Sequence, residues 1–132
     1  LAPVAATMDQ VLSLGVTPII IGPAPVFKNS AIGLLHAQGF GGEALDTGAR
    51  LPLRFKFDVP KVNADLAGLA EARGIAFVDR YGQICDDTSC AAFVPDDELK
   101  LMFWDNQHMA IGAMDWYGKV LREHPAFSDF VK

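Results

Sequence analysis

Apolar positions recur along the start of the chain at the spacing of a helix. Val4, Met8, Val11 and Leu12 form one stripe within residues 3–14. Pro3 suits the first turn of such a helix, and Gly15 the position after its last. "VTPIII" then runs β-branched and apolar up to Gly22, without alternation. That is the pattern of a strand covered on both faces of a parallel sheet. A second helical stripe, Val62, Leu66, Leu69 and Arg73, is fronted by Pro60 and closed by Gly74. "IAFVD" predicts another short strand, ending on Asp79. "KLMFW" at 100–104 reads as a brief strand or an extended approach. From about Ile111 onward, Ala113, Tyr117, Val120 and Leu121 make the apolar face of a last helix, with Trp116 at its margin.

Two helix-to-strand units with apolar strands predict an α/β fold, a three-layer α/β/α sandwich around a parallel sheet. Two or three strands make a thin sheet, because natural sheets usually have more. Residues 29–59 are the least regular stretch, and the glycine-rich "HAQGFGGEALDTGARLP" predicts a long irregular excursion. "GPAPVF" leaves the first strand at its carboxyl end, where α/β folds place functional loops. Pro23 and Pro25 there fit a pocket rim or a plain turn. "YGQICDDTSCAAFVPDDEL" reads as loop or short turns. No repeat, low-complexity tract or linker divides residues 1–132, so one domain is expected.

Composition narrows the function classes. The 132 residues are 51% hydrophobic and 20% charged, ordinary for a folded chain. Sixteen acidic residues against eleven Lys and Arg give a net charge of −5. Arg50, Arg54, Lys56 and Lys61 are scattered rather than clustered, which argues against a nucleic-acid surface. There is no apolar run long enough for a membrane span and no signal-peptide pattern. The opening "LAPVAATMDQ" has no initiator Met and already reads as helix, as expected of a processed chain or a piece of something longer. Cys85 and Cys90 bound "CDDTSC". Their spacing admits a small disulfide-closed loop or two separate thiols. With no His or Cys nearby to complete a tetrahedral set, it argues against zinc.

The densest chemistry lies in "KLMFWDNQHMAIGAMDWYGKVL", where an apolar run stops at Asp105 and His108 follows three residues later. Asp105 fits a turn cap with an exposed His108 beside it. It equally fits an acceptor for the Nδ1 proton, leaving Nε2 to take a proton from a hydroxyl. As metal ligands the two are too few without others from distant loops. Asp79 fits an active-site carboxylate or, more ordinarily, a turn or helix cap. Asp86, Asp87, Asp96 and Asp97 lack calcium-loop spacing and read as a solvated surface. Trp104, Trp116 and Tyr117 are candidate sugar-stacking rings, with core packing expected for at least two of them. His36 and His124 have no partner at informative spacing and read as surface residues.

"FWDNQHMAIGA" resembles the C-terminal block of the SGNH hydrolases and acyltransferases, in which an aspartate, two intervening residues and a catalytic histidine precede a helix led by small residues. More narrowly, "ICDDTSC" upstream of that block, and "VTPIIIGPAPVF" well before it, resemble the SGNH domain attached to membrane acyltransferase family 3, which O-acylates bacterial cell-surface glycans. The resemblance implies a flavodoxin-like parallel sheet, with Asp105 and His108 as the acid and base of a Ser-His-Asp triad. Met109 and Ala110 stand where that group commonly has Leu and Ser. The family's Gly-Asp-Ser nucleophile motif has no counterpart, since the serines are Ser13, Ser30, Ser89 and Ser128. Asn29 and Asn106 likewise lack the context of its oxyanion-hole asparagine.

The chain is therefore expected to be the C-terminal portion of an SGNH-type domain, lacking its first strand and nucleophile block, and inactive by itself. The implied activity is O-acyl transfer, specifically O-acetyl transfer, to a surface polysaccharide or lipopolysaccharide. A carboxylic ester hydrolase and a non-catalytic glycan- or protein-binding module are the alternatives. The implied partners are an acyl donor, a glycan acceptor and an N-terminal membrane acyltransferase domain in the same polypeptide, with no cofactor and no nucleic acid. The implied location is the periplasmic face of a bacterial inner membrane, a compartment that favours a Cys85–Cys90 disulfide over free thiols.

Overall fold

Both helix-to-strand units form where the apolar stripes place them. In the computed structural model of the chain, the described residues are 1–37, 39, 49–95 and 97–127. In order the elements are α1 (Ala2–Ser13), β1 (Ile19–Ile21), α2 (Ala31–Ala37), β2 (Arg50–Pro52), α3 (Val59–Glu71) and β3 (Ala76–Val78). They continue with α4 (Arg80–Ile84), β4 (Ser89–Ala91), β5 (Phe93–Val94), β6 (Asp97–Leu101), α5 (Ile111–Glu123) and a 3-10 turn at Pro125–Phe127. Most of the glycine-rich excursion, with Asp96 and Ser128, lies outside the described residues.

β1 and β3 pair in parallel, in the register Ile19↔Ala76, Ile20↔Phe77 and Ile21↔Val78. α1 and α3 supply Met8, Leu12, Leu66, Leu69 and Ala70 to a small core around Ile20 and Ile75. Asp58 adds a start signal that periodicity did not show: its side chain accepts the Lys61 amide at 3.0 Å and caps α3. The unalternating "III" predicted cover on both faces, yet Ile21 is 42% exposed. Among the described residues β1 has a strand neighbour on one edge only, β3, whose Val78 is fully buried opposite Ile21.

Residues 80–101, read as loop, turns and one extended piece, instead hold a one-turn helix and three strands. β2 pairs antiparallel with β4 through Leu51↔Cys90, and β5 pairs antiparallel with β6. Strands of two to five residues are too short for alternation to register against their neighbours. They surround the larger core, in which Phe27, Leu35, Leu51, Met102 and Phe103 are almost fully buried. Phe103 meets Phe27 edge to face, with ring centroids 5.3 Å apart. A Cys85–Cys90 disulfide closes the hairpin between α4 and β4 against this core.

One glycine ties the two ends of the parallel pair together. The Gly22 amide donates to Val78 O at 2.8 Å, and a Cβ on Gly22 would clash with Asn63 Oδ1. A side chain there would have to displace the Asn63 side chain, which holds Asp79. The chain leaves Gly22 through Pro23 and the buried Pro25 and runs to the segment that carries Asp105.

Candidate active site

Asp105 and His108 sit on a short loop with a closed base. Phe103 and Met109 bridge across it, Trp104 N donates to His108 O at 2.8 Å, and Ala110 N donates to Met102 O at 3.1 Å. Phe103 and Met102 are fully buried beneath, so the loop stands on rigid core. Its outer side is pinned by the segment leaving β1. Phe27 N donates to Asn106 O at 2.8 Å, Asn106 Nδ2 donates to Phe27 O at 3.3 Å, and Ala31 N donates to Asp105 O at 3.0 Å. Asn106, which the sequence left without a role, thus supplies two of the three bonds that join the segments.

Within the loop, the turn and the pair are made by one side chain. Asp105 Oδ1 accepts the Gln107 and His108 amides, each at 2.8 Å, while Oδ2 lies 2.7 Å from His108 Nδ1. A carboxylate only accepts, so the bridging proton belongs to Nδ1. The His108 ring, then the His108 and Gln107 amides, hold the Asp105 carboxyl down at about 2. His108 is 69% exposed, and its Nε2 has no hydrogen-bond partner among the described residues. In the neutral imidazole this makes Nε2 the acceptor nitrogen, exposed at the surface.

His108 and Met109 form one wall of an open cleft of about 470 Å³. Ala24 brings the "GPAPVF" segment to its rim, and α5 contributes Met114, Tyr117 and Leu121. Arg80 completes it from the start of α4, a residue that no spacing in the sequence singled out.

The other candidates lie elsewhere. Asp79 is a cap: its Oδ1 accepts the Gly82 amide at 2.7 Å and the Asn63 amide group at 2.9 Å. Asp86 closes the turn before β4 and pairs with Arg50. Trp116 packs against the larger core and Tyr117 is 8% exposed, whereas Trp104 is 69% exposed. His36 is exposed as expected. His124 differs from the surface reading: it ends α5 half-buried, and its Nδ1 accepts the Ala126 amide at 3.1 Å. Ser13 ends α1, Ser30 accepts the Gly33 amide at 3.1 Å, and Ser89 accepts from Arg50 Nε at 2.9 Å. None of these three hydroxyls bonds to His108. Among the described residues no group of three His, Cys, Asp or Glu side chains gathers as for a metal ion. No described helix is long and apolar enough to cross a membrane.

A family model described as "SGNH domain (fused to AT3 domains)" matches residues 3–123. The chain belongs to this family. The fold is also similar to the periplasmic domain of a lipopolysaccharide acetyltransferase from Salmonella ser. Paratyphi A, with a TM-score of 0.64 at 14% identity. That similarity covers 89% of this chain and 48% of the other, so the chain spans about half the length of its structural neighbour. No curated protein sequence matches the chain.

Proposed function

We propose that this chain is the C-terminal portion of an SGNH domain that transfers an acyl group, specifically acetyl, to a hydroxyl of a bacterial cell-surface glycan. The observation that carries the reading is the 2.7 Å contact of Asp105 Oδ2 with His108 Nδ1, which leaves Nε2 open on a cleft. Family membership supports the same assignment. The nucleophilic serine comes from a part of the polypeptide outside these residues, in keeping with Ser13, Ser30 and Ser89 all being engaged away from His108.

In this mechanism His108 Nε2 takes the proton of the serine hydroxyl as its oxygen attacks the donor's acyl carbonyl. Asp105 fixes the tautomer and stabilises the imidazolium. The imidazolium then protonates the departing donor group, leaving the acyl on serine. A glycan hydroxyl repeats the sequence in reverse: it gives its proton to Nε2, attacks the acyl-enzyme, and serine leaves with the proton from His108. The Cys85–Cys90 disulfide supports an oxidising, periplasmic setting beside a membrane acyltransferase domain of the same polypeptide.

Incorporation of labelled acetyl into surface glycan by the full-length protein tests the proposal. His108→Ala is expected to lower it by about 10²–10⁴-fold, and mass spectrometry of the trapped acyl-enzyme should find the adduct on a serine outside residues 1–132. Undiminished transfer by His108→Ala overturns the assignment.

A further inference from the structure

The cleft beside His108 has a second polar feature that the triad does not use. Arg80 lines it, with its guanidinium carbon 6.0 Å from the centre of the Tyr117 ring. Arg80 Nε is buried without a hydrogen-bond partner among the described residues, and the same holds for the Tyr117 hydroxyl. The other two guanidinium nitrogens make no hydrogen bond or ion pair there either. Arg50 and Arg73, by contrast, are paired with Asp86 and Asp9. Asp79 is adjacent in sequence, but its carboxylate is directed to the Asn63 side chain and the Gly82 amide.

A half-buried guanidinium without a counter-ion is costly to hold, and native proteins rarely leave such donors unmatched. The planar fork matches a carboxylate or phosphate with two parallel hydrogen bonds. The Tyr117 ring backs the guanidinium and limits how it can turn. Burial pushes the Tyr117 hydroxyl up from its ordinary range, so it stays protonated and neutral beside the guanidinium. At about 470 Å³ the cleft has the size of a small-molecule site, and its apolar wall of Met109, Met114 and Leu121 suits the faces of a sugar ring.

We propose that this cleft binds an acidic sugar unit of the acceptor glycan, with Arg80 holding its carboxylate or phosphate while a hydroxyl of the glycan faces His108. As an acceptor site it rests on the transferase reading, but the binding preference does not depend on the triad.

Calorimetric titration of the full-length protein with glucuronic acid, glucose 6-phosphate and glucose tests it. At least one acidic probe should bind about tenfold or more tightly than glucose, the worth of a charge-assisted hydrogen bond. The tighter of the two acids identifies the group the fork takes. Arg80→Gln should bring acidic and neutral probes level, and Arg80→Lys, a point charge without the fork, should keep part of the preference. Equal binding of all three probes by the wild-type protein, which needs no variant, overturns the proposal. So does an acid preference that survives Arg80→Gln. Transfer undiminished by His108→Ala overturns the transferase reading, whereas equal binding of the three probes overturns the acidic-sugar site, so the two failures are separate outcomes.

Discussion

In the turn at Asp86 and in the turn at Asp105, the aspartate Oδ1 accepts the backbone amides two and three residues on. The distances are 2.8 and 2.9 Å to Thr88 and Ser89, and 2.8 Å to both Gln107 and His108. In each, Oδ2 holds a nitrogen donor, Arg50 Nη2 in one and His108 Nδ1 in the other. Both carboxyls are held at about 2. The two turns differ in what the held donor can still do. A guanidinium stays charged and donates on every side, whereas an imidazole fixed at Nδ1 presents an acceptor at Nε2. Turn chemistry and catalytic chemistry are thus not competing explanations of an Asp-x-x-His spacing. One carboxylate oxygen makes the turn, and the other assigns the tautomer.

The largest effect expected from this difference is on rate. Asp105→Asn keeps an oxygen to accept the two amides, but it turns an NH₂ toward His108 Nδ1. That favours the tautomer with its proton on Nε2, where the proposed mechanism needs a lone pair. Acetyl transfer by the full-length protein should fall about 10²–10⁴-fold. Asp86→Asn is the same chemical change in the same kind of turn. It removes an exposed ion pair with Arg50, so transfer should stay within about twofold. Equal losses in the two variants would mean that the partner of Oδ2 is not what separates the turns.

A smaller effect concerns the serine near each turn. Ser30 adjoins Ala31, whose amide reaches Asp105 O, and Ser89 lies inside the Asp86 turn. Ser30 Oγ accepts the Gly33 amide at the start of α2, so Ser30→Ala should cost about 1 kcal/mol in thermal or chemical unfolding. Ser89→Ala loses the bond from Arg50 Nε and should cost a similar amount, about 1 kcal/mol. Neither should change the transfer rate. A folded Ser30→Ala protein without transferase activity would put the nucleophile inside this chain and break that part of the proposed function.

How far the sequence reveals this arrangement depends on the length of the signal. α1, α3 and α5 each run twelve or thirteen residues, enough turns for an apolar stripe to declare itself. "III" and "AFV" stand out as strands because each follows such a helix. β4 and β5, at three and two residues, carry no period, and their pairing rests on contacts such as Leu51↔Cys90 that are distant in sequence. The Asp105–His108 pair was legible because the turn brings together residues three apart. The cleft was not, because Arg80, Ala24 and Tyr117 come from α4, the loop after β1 and α5, far apart in sequence, and meet only in the folded chain. Asn106 was missed for the same reason, since its partner Phe27 lies 79 residues away.

The finest separation of the two turns is their acid titration, small in energy because both carboxylates lie at the surface. Each folded carboxyl sits near 2, below the value of about 3.9 expected in an unfolded chain. The stabilisation linked to each is therefore fully present above the unfolded value and is lost as pH falls through about 2. The dominant causes differ. At Asp105 the His108 ring is the largest, while at Asp86 the Thr88 hydroxyl comes first and Arg50 last. In a carboxyl-carbon NMR titration, His108→Ala should raise the Asp105 carboxyl toward its ordinary range and leave Asp86 in place. Thr88→Ala should do the reverse, and by more than Arg50→Ala does. An Asp105 carboxyl that stays near 2 without the ring would mean that the two amides alone hold it. The pair would then be a turn that happens to touch an imidazole, with nothing to distinguish it from the one at Asp86.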